Sequence, residues 1–123
     1  MPKFITIQNK NRPIQGVLRI EYCDSFITQL AGLSFRSRLP QDEGLVLVGR
    51  RDSRVDSSIH MFFVPFDLSV IWINSAMQVV DKVLAKSWRP AYFSKEPAKY
   101  VLEIHPDRWR EFEIGDRVEF RDA

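Results

Sequence analysis

Short apolar segments recur along this chain between turn-forming residues. Some alternate with polar residues, whereas residues 45–48 form a continuous apolar run, which fits a strand covered on both faces, and the segments at 68–73 and 79–84 are similar. A period of two is typical of β-strands, whereas an amphipathic helix needs a period near 3.6. The segments run through residues 3–8, 16–23, 45–48, 68–73, 79–84, 100–104 and 117–120. Between 68–73 and 79–84, Asn74 and Ser75 predict a hairpin turn. Seven or eight short strands therefore dominate the predicted fold.

A single segment has the period of an amphipathic helix. Its apolar residues occupy positions i, i+1, i+4 and i+7, namely Phe26, Ile27, Leu30 and Leu33. Asp24 or Ser25 precedes them as an N-cap, and Gly32 marks the expected end. We therefore predict one mainly β domain over residues 1–123, with one substantial helix and an antiparallel β-sandwich or barrel-like architecture.

The apolar residues of these segments predict a single hydrophobic core. We assign to it Leu18, Ile20, Phe26, Leu30, Leu45, Leu47, Val70, Trp72, Leu84, Leu102 and Val118. At 123 residues the chain buries enough surface to fold without a metal or a disulfide.

Charge and composition exclude several classes of protein. Lys and Arg total 18 against 16 Asp and Glu, a net charge of +2, which does not favour nucleic acid or an anionic membrane as a partner. No apolar run approaches the roughly 20 residues that span a bilayer. The single Cys23 cannot form an internal disulfide, and the first residues do not resemble a signal peptide, so we expect a cytoplasmic protein without membrane contact.

The chain is poor in residues that bind metals. His60, His105 and Cys23 show no CxxC, HxH or HExxH spacing, and no glycine-rich phosphate loop is present. The sequence therefore predicts neither a metal nor a cofactor. Cys23 fits a buried structural thiol better than a nucleophile, and His105 fits an exposed imidazole in a turn.

His60 lies in an apolar segment, residues 59–64, where a polar ring must be hydrogen-bonded. It is either a core histidine whose ring is hydrogen-bonded or a functional histidine. Asp67 and Ser69 follow closely, but residues so near in sequence rarely form a triad, and no nucleophile elbow surrounds Ser69. His60 and Asp67 remain weak catalytic candidates.

Glu103 occupies the middle of a predicted strand. There it either faces water or pairs with an arginine across the sheet, and Arg36, Arg38 and Arg89 are available donors. We favour the structural pair.

Two polar connections are candidate functional loops. The loop of residues 86–93 holds Trp88 and Arg89, and its aromatic side chains either cover the core or form a contact surface. We prefer Arg89 as a structural partner of a carboxylate such as Glu103 over a ligand-binding role. The stretch of residues 50–58 reads as a mixed-charge hairpin tip, with phosphate binding as the alternative.

Six blocks of this sequence, in the same order, resemble the domain-of-unknown-function family 192. They are residues 30–36 with 39 and 44–45 (GL-x-x-R-x-x-L … G-L), 59–66 (H-x-F-F-M-x-F), 67–74 (P-I-D-V-V-F-L-D), 88–89 (P-W-R), 98–103 (A-x-x-V-L-E) and 114–118 (I-x-x-G-D-x-V). The blocks lie within residues 24–120, after an N-terminal strand pair.

The resemblance implies a compact, mostly β domain found in bacteria and archaea, and it implies no reaction. The sequence departs from the family pattern at Ser69, where Asp is usual, at Asp67, where Pro is frequent, and at Ser87, where Pro precedes the tryptophan.

Two functional hypotheses follow. In the first, the chain is a non-enzymatic module that binds a small ligand or a protein through Arg36, His60, Trp88, Arg89 and Glu103. In the second, it is a small hydrolase-like enzyme with His60 as acid or base, helped by Asp67 and by Arg36 or Arg89. The second requires these groups to converge.

Overall fold

A computed structural model describes residues 3–24, 38–89 and 91–123 of the chain. Seven strands account for most of this structure, as the two-residue period predicts. They are β1 (Lys3–Asn9), β2 (Arg19–Cys23), β3 (Glu43–Ser53), β4 (Leu68–Ile73), β5 (Val79–Ala85), β6 (Ala98–Ile104) and β7 (Val118–Asp122). The predicted hairpin of β4 and β5 is confirmed, with antiparallel pairing from Leu68 opposite Ala85.

All seven strands belong to one mixed sheet in the order β5-β4-β6-β3-β2-β1-β7. The pairing is antiparallel except between β2 and β3, which run parallel. A sandwich or a closed barrel is therefore the wrong architecture. The edge strands approach at one end, where Gln78 bridges Arg117 and the Val79 amide donates to the Asp116 carbonyl at 2.8 Å. They do not pair along their length, so the sheet is open.

The predicted helix falls on residues 24–33, which lie outside the described residues after Asp24. In the described ranges, the one helix is the six-residue 3-10 helix Pro106–Glu111, so a substantial helix is not supported. The His105 side chain accepts a hydrogen bond from the Asp107 amide at the start of this helix. No helix of the described chain is long and apolar enough to cross a membrane.

Both faces of the sheet are covered, so the core consists of two clusters rather than one. The loop-side cluster packs under the connections between strands and contains Cys23, Leu39, Leu45, Ile59, Met61, Val64, Leu68, Val70, Trp72, Ala85, Ala98 and Val101. The helix-side cluster lies on the other face and contains Ile5, Ile7, Leu18, Ile20, Val46, Ile71, Ile73, Val79, Leu102, Ile104, Phe112 and Val118. Alternation along β4 sends Val70 and Ile71 to different clusters.

The predicted single core is corrected accordingly. Leu45 and Trp72 belong to the loop-side cluster, whereas Leu102 belongs to the helix-side cluster. Leu84 is 40% exposed because it lies on the edge strand β5, where no neighbouring strand covers it. Phe26 and Leu30 lie outside the described residues.

Asp116, just before β7, joins the segment that precedes this strand to the segment that follows β1. Its carboxylate accepts hydrogen bonds from the Arg12 guanidinium at 2.6 and 2.8 Å, from the Asn9 side chain at 2.8 Å and from the Glu113 amide at 2.8 Å. The hydrogen bond from Arg12 is the main reason that the pKa of Asp116 falls from 3.8 to about 2.

We expect Asp116→Asn to lower the free energy of unfolding by about 2 kcal/mol at pH 7. A lowered pKa means that the folded state favours the ionised form, so this stability is present above about pH 4 and is lost as the pH falls towards 2. Denaturant melts of both proteins from pH 7 down to pH 2 measure the difference. A difference that does not shrink at low pH would contradict the assignment.

Candidate functional site

Two connections pair with each other over the loop-side cluster. Ile59 and Tyr92 exchange backbone hydrogen bonds of 3.0 and 2.9 Å. The Met61 amide donates to the Arg89 carbonyl, and the Trp88 amide donates to the Met61 carbonyl, each at 2.9 Å. We call residues 59–66 and 86–93, without the undescribed residue 90, the aromatic loop pair. Regular backbone pairing gives these loops a defined geometry outside the sheet.

Side-chain hydrogen bonds hold the aromatic loop pair in place. The Tyr92 hydroxyl accepts from the Lys86 amide at 2.8 Å. The Asp67 carboxylate accepts from the Ser87 amide at 2.9 Å and from the Lys86 ammonium at 3.4 Å. The apolar side chains of Ile59 and Met61 are buried in the loop-side cluster. The side of the loops that faces the sheet is therefore fixed by buried side chains, whereas the opposite side is exposed to water.

Large aromatic side chains occupy the exposed side of the aromatic loop pair. The exposed fractions are 42% for Phe62, 48% for Phe63, 53% for Trp88 and 53% for Phe93. The rings of Phe63 and Trp88 meet edge to face with their centroids 5.2 Å apart. Exposed aromatic clusters of this kind mark interaction surfaces in soluble proteins.

Phe63 and Trp88 also have unusual backbones, with φ of 60° and 66°. This left-handed region is rare for bulky residues and costs on the order of 1–3 kcal/mol each. The hydrogen bonds of Met61 with residues 88 and 89 hold this backbone in place. Strain of this kind concentrates at functional sites. Of the three non-glycine residues with positive φ in the described chain, Met77 lies in the turn between β4 and β5, whereas Phe63 and Trp88 form the edge-to-face ring pair.

His60 is exposed, which corrects the expectation of a core histidine. The segment of residues 59–64 is a turn in which Ile59, Met61 and Val64 point into the core. The His60 ring faces away, with Nδ1 accepting from the Phe62 amide at 3.2 Å and the ring centroid 5.4 Å from that of Phe62.

The acid–base constellation does not assemble among the described residues. Asp67 is engaged by the Ser87 amide, and no hydrogen bond joins it to His60. Ser69 is fully buried, and its hydroxyl donates to the Pro106 carbonyl at 3.1 Å. Arg36, the predicted helper, lies outside the described residues. Within residues 3–24, 38–89 and 91–123, no group of three His, Cys, Asp or Glu side chains is placed to hold a metal.

Trp88 and Arg89 lie on a loop, as predicted, but the expected carboxylate partner of Arg89 is not found in the described chain. Trp88 does not cover the core, since half of its surface is in water. Arg89 is exposed, and no carboxylate of the described chain pairs with its guanidinium. The expected pair of Arg89 with Glu103 is therefore wrong, because Glu103 is buried in the central strand β6.

We expect Arg89→Lys to change the free energy of unfolding by less than about 0.5 kcal/mol, as exposed substitutions do. The guanidinium has no carboxylate partner to lose in the described structure, so the folded state is unaffected. A thermal melt checks this, with Asp116→Asn as the destabilised reference. A loss above about 1 kcal/mol would restore a structural role for Arg89.

Glu103 lies opposite Val70 of β4 and Leu45 of β3. Directly opposed residues project to the same face, so its side chain enters the loop-side cluster. The side chain is 5% exposed, and no side chain of the described chain bonds or pairs with it. Burial away from water raises the pKa of Glu103 from 4.5 to about 7. The prediction of a carboxylate that faces water is wrong because both faces of the sheet are covered. Neither Arg38 nor Arg89 pairs with it, and Arg36 lies outside the described residues.

Two further candidates are structural. Cys23 is a buried thiol in the loop-side cluster, as expected. In the stretch of residues 50–58, the Asp52 carboxylate accepts from the Ser75 amide at 2.8 Å, and the Arg54 guanidinium donates to the Ser94 carbonyl at 2.9 Å. These bonds fasten the stretch to neighbouring loops.

Sequence reasoning omitted Phe62 and Phe63 from the candidate site. The two consecutive phenylalanines were attributed to an apolar segment, which predicts burial. One signal was available in the sequence: both lie in the family-like block of residues 59–66, which contains a third phenylalanine at Phe66.

Comparison with known sequences identifies the family. The model of domain-of-unknown-function family 192, described as "Uncharacterized ACR", matches residues 6–120 and thus includes most of the N-terminal strand pair. A UPF0127 protein of Thermococcus gammatolerans is 40% identical over 113 residues, which cover 90% of this chain and 71% of the relative. The UPF0127 protein PH1112 of Pyrococcus horikoshii is 34% identical over 119 residues, or 94% of this chain and 97% of the relative.

Two solved structures share the fold. A protein of unknown function from Novosphingobium aromaticivorans superposes with a TM-score of 0.80 at 22% identity, covering 96% of this chain and 84% of that one. A putative transcription regulator from Sinorhizobium meliloti gives a TM-score of 0.82 at 19% identity, covering 98% and 94%. With the family match over residues 6–120, the chain belongs to domain-of-unknown-function family 192, an uncharacterised family of archaeal and bacterial proteins.

Proposed function

We propose that this chain is a non-enzymatic binding module whose aromatic loop pair recognises a peptide segment of a partner protein. The segment carries an apolar side chain next to a carboxylate. The observation that carries this proposal is the exposed, edge-to-face pair of Phe63 and Trp88 on strained backbone. Trp and Arg are the residues most enriched among side chains that dominate protein interfaces, and Trp88 and Arg89 are adjacent here.

The extent of exposure favours a peptide over a small molecule. A small-ligand site is a concave pocket that buries roughly 70% or more of the ligand's surface. The rings of Phe62, Phe63 and Trp88 instead keep 42–53% of their surface in water. A peptide laid across the aromatic loop pair covers several of these rings at once.

Charge defines the second element of recognition. Lys86 is balanced by Asp67 at 3.4 Å, whereas Arg89 has no carboxylate partner in the described chain. An exposed guanidinium beside an aromatic ring binds a carboxylate with two parallel hydrogen bonds. The partner segment is therefore acidic as well as apolar.

Selection from a random peptide library displayed on phage tests the proposal. The immobilised wild-type protein is expected to enrich peptides that combine an aromatic or aliphatic residue with Asp or Glu. Trp88→Ala is expected to weaken binding of an enriched synthetic peptide at least tenfold in isothermal titration calorimetry, and Arg89→Ala is expected to weaken it by a similar factor.

Val55→Ala is the matched control, because Val55 is 73% exposed but lies on the turn after β3. It is expected to bind like the wild type. Peptides that bind Trp88→Ala and the wild type equally, or a selection that enriches no common motif, would overturn the proposed function. Thermal melts of each variant separate lost binding from lost folding.

A further inference from the structure

Three connections meet at one end of the central strands. Ile104, the last residue of β6, is paired with Gly44 near the start of β3 and with Ser69 near the start of β4. The segments that precede β3 and β4 and the segment that follows β6 therefore lie side by side. A cavity of about 410 Å³ opens between them. Its lining residues in the described chain are Arg38, Leu39, Phe66, Asp67, His105 and Pro106.

Part of the cavity wall is apolar and continuous with the core. Leu39 is 8% exposed and belongs to the loop-side cluster, and Phe66 packs against the same cluster. Pro106 adds a third uncharged side chain. The volume lies in the range of small-molecule sites, roughly 300–1,000 Å³. The cavity is therefore large enough for a small organic molecule with an apolar body.

Two of the polar lining residues already have partners. The Asp67 carboxylate accepts a hydrogen bond from the Ser87 amide at 2.9 Å and one from the Lys86 ammonium at 3.4 Å. The Nδ1 atom of His105 accepts from the Asp107 amide at 3.1 Å. The neutral imidazole therefore carries its proton on Nε2, which is a hydrogen-bond donor.

Arg38 carries the uncompensated charge of the lining. Its side chain is exposed, and no carboxylate of the described chain pairs with the guanidinium. The Asp107 carboxylate lies 3.7 Å from Nδ1 of His105 and accepts from the Gln41 side chain at 2.7 Å. The cavity therefore presents one cation without a partner and one N–H donor, beside an apolar wall.

We propose that this cavity binds a small organic carboxylate. The carboxylate of the ligand pairs with the guanidinium of Arg38 and accepts a hydrogen bond from Nε2 of His105, while its apolar body packs against Leu39 and Phe66. A guanidinium binds a carboxylate with two parallel hydrogen bonds, which favours this group over an alcohol or an ammonium. The proposal concerns a second site, separate from the exposed rings that we propose to bind a peptide.

Three compounds that differ only in their polar group test the charge preference by isothermal titration calorimetry at pH 7.5. They are 3-phenylpropionate, 3-phenyl-1-propanol and 3-phenylpropylamine. The carboxylate is expected to bind, whereas the alcohol and the amine are not. Equal binding of the alcohol, or no binding of the carboxylate at millimolar concentration, would overturn the proposal.

Arg38→Gln is expected to weaken binding of 3-phenylpropionate about tenfold or more, because it removes the paired charge. Arg110→Gln is the matched control, since Arg110 is also exposed but does not line the cavity. It is expected to bind like the wild type. Full binding by Arg38→Gln, with thermal melts that show both variants folded, would contradict the proposed pair.

His105→Asn tests the second contact. Asparagine keeps a side-chain oxygen that accepts from the Asp107 amide at the start of the 3-10 helix, but it lacks the Nε2 donor. We expect binding of 3-phenylpropionate to weaken about three- to tenfold, the effect of one lost hydrogen bond. Unchanged binding by His105→Asn would remove His105 from the site.

The location of the ligand separates this proposal from the peptide-binding proposal. In ¹⁵N-labelled protein, 3-phenylpropionate is expected to shift the amides of residues 38, 39, 66, 67 and 105 most strongly. Shifts centred on residues 60–63 and 88–93 would place the compound on the exposed rings and overturn the cavity assignment. Failure of the cavity assignment leaves peptide binding intact, because peptide binding is tested with Trp88→Ala and selected peptides.

Discussion

Replacing Glu103 by glutamine is expected to stabilise the protein by about 3 kcal/mol at pH 8 while leaving its stability at pH 4 unchanged. The carboxyl is buried between Leu45 and Val70 without a charged partner in the described chain, and its pKa is raised to about 7. The unfolded state ionises near pH 4.5. Between these two values the unfolded state binds fewer protons, so the wild type loses stability as the pH rises.

Glutamine has nearly the same shape and carries no charge at any of these pH values. The difference between the two proteins therefore grows from pH 4.5 to pH 7 and is constant above. Urea melts at five pH values measure it, with Glu96→Gln as the control that shows no such growth. A constant difference, or a Gln variant that is less stable at pH 8, would show that the carboxylate is compensated.

Truncation of Leu102 to alanine is expected to lower the free energy of unfolding by about 2–5 kcal/mol, the range for emptied core positions. Leu102 is fully buried in the helix-side cluster, between Ile71 of β4 and Val46 of β3. All three strands are interior strands of the sheet, so the neighbouring backbone cannot easily collapse into the space.

Leu84→Ala removes the same number of atoms from the edge strand β5, where the side chain is 40% exposed. Its expected cost is below about 1 kcal/mol. Chemical denaturation of both variants under one condition gives the comparison. Equal costs would mean that Leu102 is not enclosed in the helix-side cluster.

Local sequence pattern accounts for the strands but not for their arrangement. The short, nearly continuous apolar run located β4 at residues 68–73, and Asn74 and Ser75 located its turn. The parallel pairing of β2 with β3 joins two strands that are separated in sequence by residues 24–42, and no local pattern encodes such a pairing. The same limit explains why an open sheet with two covered faces was predicted as a sandwich or barrel.

The candidate site was predictable in part. The loop of residues 86–93 carries three aromatic residues around Pro90, which indicated either a lid or a contact surface, and half-exposed Trp88 fits the contact surface. Pairing of this loop with residues 59–66 is a tertiary feature, and so is the strain at Phe63. Glu103 was predicted to pair with an arginine across the sheet or to face water, whereas it lies buried among apolar neighbours because both faces of the sheet are covered.

The central claim, that the aromatic loop pair is a binding surface, is tested most directly by nuclear magnetic resonance of the ¹⁵N-labelled protein titrated with a selected acidic, apolar peptide. The largest amide shifts are expected within residues 60–63 and 86–93, and they are expected to disappear in Trp88→Ala. Shifts centred on another surface, such as β7, or a full response in Trp88→Ala, would contradict it.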